Sequence, residues 1–459
     1  MTNTDKYSLI SGSILKKLFL IAMPLIGTQI IQMAYNLTDM FWLGHLNSDA
    51  VASSGTVGLY MWLSMAFMLV GRMGAEIGVS QSIGRGDREK ALDYAQNSIF
   101  INIVMGVSLG LIYILGRGLL VGFFGIREAH VARDARDYLA IIGVGIPFTF
   151  ITGAVTGVFN GAGNSRISLL INGVGLVINM TLDPVLIFTA GLGIKGAAIA
   201  TVIAQVVASG LSFFALIKLK NRPFKEIKPK RWPDRKVLKQ VFKWVTPISV
   251  ESFLFTFLSM LIAALIASYG ADAMAANRVG AQIESLTWLI AAGYASALTS
   301  FVGQNFGAGR WSRIHRGFRI SSAIMAGWGI IVSFILYFAG RVLFGVFIPN
   351  NPNVVDIGSG YLRILAFSQV PGCLEGVASG AFRGRGKTIP PSVASITSNA
   401  LRVVLAYFLT RYTSLGLTGI WIALASGGGL RGSWIFIWNF INLHRTPKED
   451  DLAVQTGNS

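Results

Sequence analysis

The sequence predicts an all-helical membrane protein of about twelve transmembrane helices, arranged as two six-helix bundles. Three observations predict it: the composition, the length of the apolar runs, and an internal repeat. Of the 459 residues 53% are hydrophobic and 13% charged, and the mean hydropathy is +0.59. That balance excludes a soluble protein of this size and describes a polytopic one. The apolar runs are long and continuous, and the 53 glycines suit helices packed through small residues rather than alternating barrel strands.

Runs of spanning length fall near 14–43, 51–77, 93–119, 136–160, 167–190, 195–219, 241–269, 273–301, 318–347, 357–382, 389–411 and 417–443. Basic residues gather in alternate connections, as at Lys16 and Lys17, Arg85 to Lys90, Arg310 to Arg316, and Arg383 to Lys387. The positive-inside rule places these connections and both termini in the cytoplasm of a multi-pass cell-membrane protein. The net charge of +18 is thus a topology signal, and neither nucleic acid nor an obligate protein partner is expected. The polar stretch 218–237, carrying most of Lys218 to Lys243, reads as a cytoplasmic linker able to touch anionic lipid headgroups. It separates an amino-terminal lobe, 1–217, from a carboxy-terminal lobe, 238–443, followed by a cytoplasmic tail, 444–459. The first span is too long for a cleavable signal. The one cysteine, Cys373, excludes an internal disulfide framework.

The repeat is ungapped at an offset of 223 residues. It pairs Pro24 with Pro247, Gln81 with Gln304, Gly157 with Gly380 and Gly196 with Gly419. Each copy holds an even number of spans, so the two share one orientation and form a parallel repeat of the kind found in transporters that rock about a central site.

Polar residues inside the spans mark the candidate site. Asn172, Asn179 and Asp183 recur at i, i+7 and i+11 in the fifth span, on one helical face, and Pro184 loosens the backbone beside the carboxyl. An acid in a transmembrane helix costs roughly 2.5 to 3.5 kcal/mol on insertion scales and normally marks a pathway; the structural alternative is an Asp bonded by Asn179. Gln32, Asn36 and Asp39 form a matching stripe in the first span, with Tyr35 adjacent. Pro24 frees the carbonyl of Leu20 and permits a bend. Both helices run outward, so Asp39 and Asp183 can meet in the outer half and share a proton.

The second lobe does not repeat this chemistry. Asp39 pairs with Ile262, Asn179 with Arg402 and Asp183 with Ala406. It carries instead Glu251, Arg278, Glu284, Glu375 and Arg402, which can neutralise one another, Glu284 with Arg278 in particular, or serve a second cation site. Arg72 and Glu76, at i and i+4, read as a snorkelling pair at the end of the second span. Gly-rich turns after the second and eighth spans lack the GK[ST] ending of a phosphate loop, and four scattered histidines give no metal spacing. No cofactor is expected.

YNLTD in the first span, NMTLDPVLIFTAGLGIKGAAIAT across the fifth and sixth, AANRVGAQIESL in the eighth and VGQNFGAG after it resemble the multidrug and toxic compound extrusion (MATE) family, in its prokaryotic DinF-like and NorM-like branches. The resemblance covers nearly the whole chain. It implies an antiporter that expels cationic amphiphilic compounds against H+ or Na+. Carried over by motif, it implies a cation site of Asp39, Asn179, Asp183 and Thr201, with Gln32, Tyr35, Asn36 and Asn160 binding substrate, Pro24 as the bending proline, and acids on the seventh and tenth spans as NorM-like second-lobe candidates. Glu251 and Glu375 stand about one turn from the positions expected. The alternatives are a lipid-linked oligosaccharide flippase, which would need cations for pyrophosphate, and an intramembrane enzyme.

Overall fold

The computed structural model describes residues 8–46, 48–126, 128–219, 223–224, 233–349 and 351–445; the side chains of Asn36, Ser48, Val51 and Ala52 lie outside that description. The 14 residues of the tail from 446 on and most of the basic linker, 220–222 and 225–232, also lie outside the described residues. Thirteen α-helices follow in order: α1 (Ile14–Leu46), α2 (Ser48–Gly84), α3 (Arg88–Gly122), α4 (Ala129–Gly161), α5 (Ser165–Pro184), α6 (Gly193–Lys218), α7 (Arg235–Ala267), α8 (Ala271–Gly307), α9 (Trp311–Phe347), α10 (Pro352–Ala366), α11 (Gln369–Gly384), α12 (Ile389–Tyr412) and α13 (Leu417–His444). Among the described residues eleven helices are individually long and apolar enough to cross a membrane.

The remaining span is where expectation and structure differ. The run 357–382 is broken into α10 and α11 at Phe367 and Ser368, rather than crossing as one rod. Pro371 is the local reason: it has no N–H for the carbonyl of Phe367 and its ring crowds that carbonyl. At the break the carbonyl of Leu365 accepts from Ser368 N at 3.0 Å, Ser368 Oγ at 2.8 Å and Gln369 Nε2 at 3.2 Å.

The chain packs as two compact units. The first comprises residues 1–11 and 19–249, the second residues 12–18 and 250–459. The division falls inside α7, because its first half packs on α2 and α3: Trp244 stacks on Tyr94 at 5.5 Å, and Val241 closes on Gly74.

In the first unit α2, α3 and α4 pack side by side, and α4 and α5 pack on α6. Asn102 of α3 is the polar tie between them. Its amide donates to the carbonyls of Met68 at 3.1 Å and Phe150 at 2.8 Å, and its oxygen accepts from Gly71 N at 2.9 Å. Contacts order the helices along their length. Met68, Arg72 and Glu76 of α2 meet Gly153, Gly157 and Gly161 of α4, so those two helices run parallel. At Gly157 the carbonyl of Arg72 occupies the space a Cβ would need. Ser165 Oγ donates to Ile21 O at 3.0 Å, and Leu169 meets Gly27, so α5 runs parallel to α1.

In the second unit α10 packs on α8 and α9, and α11 on α8, α9 and α13. The backbones of Pro371 and Gly432 touch where α11 meets α13, leaving no room for a side chain.

Candidate cation and substrate site

Three helices bring polar stripes to one place in the first unit. On α1 the face Thr28, Ile31, Gln32, Tyr35 continues to Asp39; on α5 Asn172 and Gly175 continue to Asn179 and Asp183; on α6 Ala208 and Ala204 continue to Thr201. Each stripe has the spacing of a single helical face. The lower parts line a cavity of about 160 Å³, whose walls also include Met61, Met65 and Met68 of α2 and Thr149, Thr152 and Thr156 of α4. The upper parts close above it as an acid cluster.

Asn179, Asp183 and Thr201 are fully buried. Asn179 Nδ2 donates to Asp183 Oδ1 at 3.2 Å and reaches Thr201 Oγ1 at 3.5 Å. Asp39 comes within side-chain reach of Asp183, Asn179 and Thr201, so the two carboxyls meet as the stripes predict. Tyr35 stands against both acids and Thr201. Tyr138 of α4, which the sequence reading did not single out, is 3% exposed and faces both carboxyls.

Four oxygens of this cluster are buried with no hydrogen-bond partner: Asp39 Oδ1, Asp183 Oδ2, Asn179 Oδ1 and Tyr35 Oη. Unsatisfied buried acceptors are costly. A set of converging oxygens is what a hard cation or a shared proton requires, and the residues present have that chemistry.

The backbone beside Asp183 is unusual. After Pro184 the chain makes a π-helical turn, Val185–Thr189, with Ala190 N bonded to Val185 O at 2.8 Å. Such turns cluster at functional positions. Gly196 lets α6 start against that turn, since a Cβ there would stand 2.5 Å from Leu186 O.

The other candidates are placed less centrally. Asn160 is fully buried and accepts from Ser168 Oγ at 3.0 Å, at the far end of α5 from the acids, and does not line the cavity. The backbone of Asn36 lies on α1, and its side chain is outside the described residues. Pro24 sits inside α1, with Thr28 Oγ1 bonded to its carbonyl at 2.9 Å. Arg72 lines the cavity and Glu76 is 1% exposed, so the pair does not snorkel: their face of α2 is packed against α4.

The second unit holds a different network. Glu284 accepts from Trp288 Nε1 at 3.1 Å and from Tyr361 Oη at 3.4 Å. Arg278 is exposed and forms no pair with it, because six residues of helix turn the two side chains onto different faces. Glu375 pairs instead with Arg431, at 2.7 Å, with side chains 15% and 14% exposed. Arg431 also lies over the Trp288 ring at 5.4 Å. Nothing in the spacing of α11 and α13 announces it. Glu251 accepts from Ser392 Oγ at 2.9 Å. Arg402 donates to Ser259 Oγ at 3.2 Å and lies over Phe255 at 5.6 Å.

A duplicated bundle of helices long and apolar enough to cross a membrane, with buried acids above a cavity, has the architecture of a membrane transporter. The MatE family profile matches residues 24–185 and again 247–408, two copies at the 223-residue offset. The chain belongs to the MatE family of MATE transporters. It is 27% identical over 415 residues to the probable multidrug resistance protein NorM of Thermotoga maritima, covering 89% of this chain and 88% of that one. It is 26% identical over 373 residues to the FAD transporter of Shewanella oneidensis, covering 80% and 81%. Among solved structures, that of MATE in the bent conformation aligns with a TM-score of 0.88 at 22% identity, covering 97% of this chain and 98% of that chain.

Proposed function

We propose that the protein is a secondary active antiporter that exports cationic amphiphilic compounds in exchange for H+ or Na+, with Asp39, Asn179, Asp183 and Thr201 as the coupling site. One observation carries this reading: two carboxyls and four unsatisfied buried oxygens share three helix faces with an apolar, Met-walled cavity. The Thermotoga relative is named a probable multidrug resistance protein, and the cavity chemistry supports the same role here. Methionine adapts to many apolar shapes, while Gln32, Asn172 and Tyr35 supply orientation.

The ion and the drug compete for the same charge. With Asp39 and Asp183 unneutralised, an organic cation is held above the Met walls. Binding of H+ or Na+ removes that attraction, α1 repacks around Pro24, and the drug leaves as the lobes exchange access. The basic connections favour both termini in the cytoplasm of the cell membrane.

Purified protein in vesicles, loaded with ethidium or norfloxacin and given an imposed ΔpH or ΔNa+ in separate runs, tests the reading. Extrusion driven by one of the two gradients is expected. Passive leakage alone under both would overturn it.

A further inference from the structure

Arg72 has no role in the coupling just described, yet it lies in the same cavity. Met61, Met65, Met68 and Arg72 recur at i, i+4, i+7 and i+11 along α2 and all line it, so the guanidinium continues the Met wall. Among the described residues Arg72 has no ion-pair or hydrogen-bond partner. Glu76, one turn on, is buried with a contact of its own and makes no ion pair with Arg72.

The acids cannot supply the missing counter-charge. Arg72 packs against Gly157, near the end of α4 that meets the start of α5 through Asn160 and Ser168. Asp183 lies about 15 residues further along α5, roughly 22 Å at 1.5 Å per residue. The cavity therefore carries an unpaired cation in its wall, while the acid cluster lies beyond its other end and outside its lining. A membrane-embedded arginine without a partner is costly and is kept for a pathway or a ligand, and its planar fork suits a carboxylate.

We propose that Arg72 forms an acid-recognising subsite that takes the carboxylate of an amphiphilic substrate, so that the cavity favours zwitterionic compounds over simple organic cations. This rests on the reading of the cavity as the drug site. A lone positive charge in the wall also repels a monocation, which sharpens the preference.

The test compares norfloxacin with its ethyl ester, which lacks only the acid. Binding to the purified full-length protein is read by drug fluorescence, and efflux is read in neutral phosphatidylcholine vesicles. Wild type should bind norfloxacin at least tenfold more tightly than the ester. Arg72→Gln should abolish that difference by weakening norfloxacin alone, and Arg72→Lys should keep part of it. Should Arg72→Gln fail to fold, the wild-type comparison and Arg72→Lys still decide. Equal affinity of wild type for acid and ester would overturn the proposal while leaving the efflux reading intact. An Arg72 effect that emerges only when phosphatidylglycerol is added would assign the residue to lipid headgroups and overturn it likewise. Carboxylate-dependent binding with no gradient-driven efflux would uphold the subsite and sink the transport reading instead.

Discussion

Breaking the Glu375–Arg431 pair offers a quantitative test of how the second unit uses its charges. The pair is short, at 2.7 Å, and largely shielded from solvent, so Arg431→Gln leaves Glu375 buried without its cation. Removing one partner of a buried pair costs about 3 to 5 kcal/mol. Arg431→Gln also forfeits the stacking over Trp288, worth about 0.5 to 2 kcal/mol. For a unit of about 200 residues, an unfolding entropy near 2.1 cal/mol/K per residue converts 1 kcal/mol to roughly 2 to 3 °C. Glu375→Gln should then lower the thermal midpoint by roughly 7 to 12 °C in detergent, and Arg431→Gln, which also loses the stacking, by roughly 8 to 17 °C. The double change removes both charges and should recover most of that loss, to within roughly 5 °C of wild type. Thermal unfolding followed by tryptophan fluorescence gives the midpoints, and gradient-driven efflux gives the function. If the double mutant melts as low as the singles, the two side chains are not each other's counter-ions. If it is stable but does not transport while Arg431→Gln alone does, Glu375 binds the coupling cation and confinement of coupling to the first unit is refuted.

Three further outcomes follow from the same structure. Asp183→Asn should abolish active efflux with the protein still folded, and the double change with Asp39→Asn should cost little more than either alone, since the two act as one unit; wild-type rates in Asp183→Asn vesicles would refute the site. Pro24→Ala restores a donor for the carbonyl of Leu20 and favours a straighter α1, so turnover should fall several-fold more than drug affinity. A parallel loss of both would contradict a gating role. Asn102→Ala strips three hydrogen bonds that join α2, α3 and α4 and should destabilise the first unit by about 2 to 4 kcal/mol, read as a lower melting midpoint without a change of coupling ion.

The sequence by itself determined the class, the span count, the duplication and the meeting of two acids. These are properties of periodicity: an apolar run of spanning length, an offset that holds without a gap, and stripes at i, i+4, i+7 and i+11 are visible in one dimension because helix geometry is regular. Asp39 and Asp183 sit on such stripes, and so their faces were legible before their contact was. Tertiary structure alone decided which charges pair. Glu284 was a neighbour of Arg278 in sequence but takes its hydrogen bonds from Trp288 and Tyr361, while Glu375 found Arg431 across two helices with no spacing to betray it. The break at Phe367 depends on Pro371, and the packing there needs Gly432 from another helix. Tyr138 and Arg72 carry the same lesson: a single side chain has no period, and whether it faces lipid, water or a cavity is set by the helices packed around it.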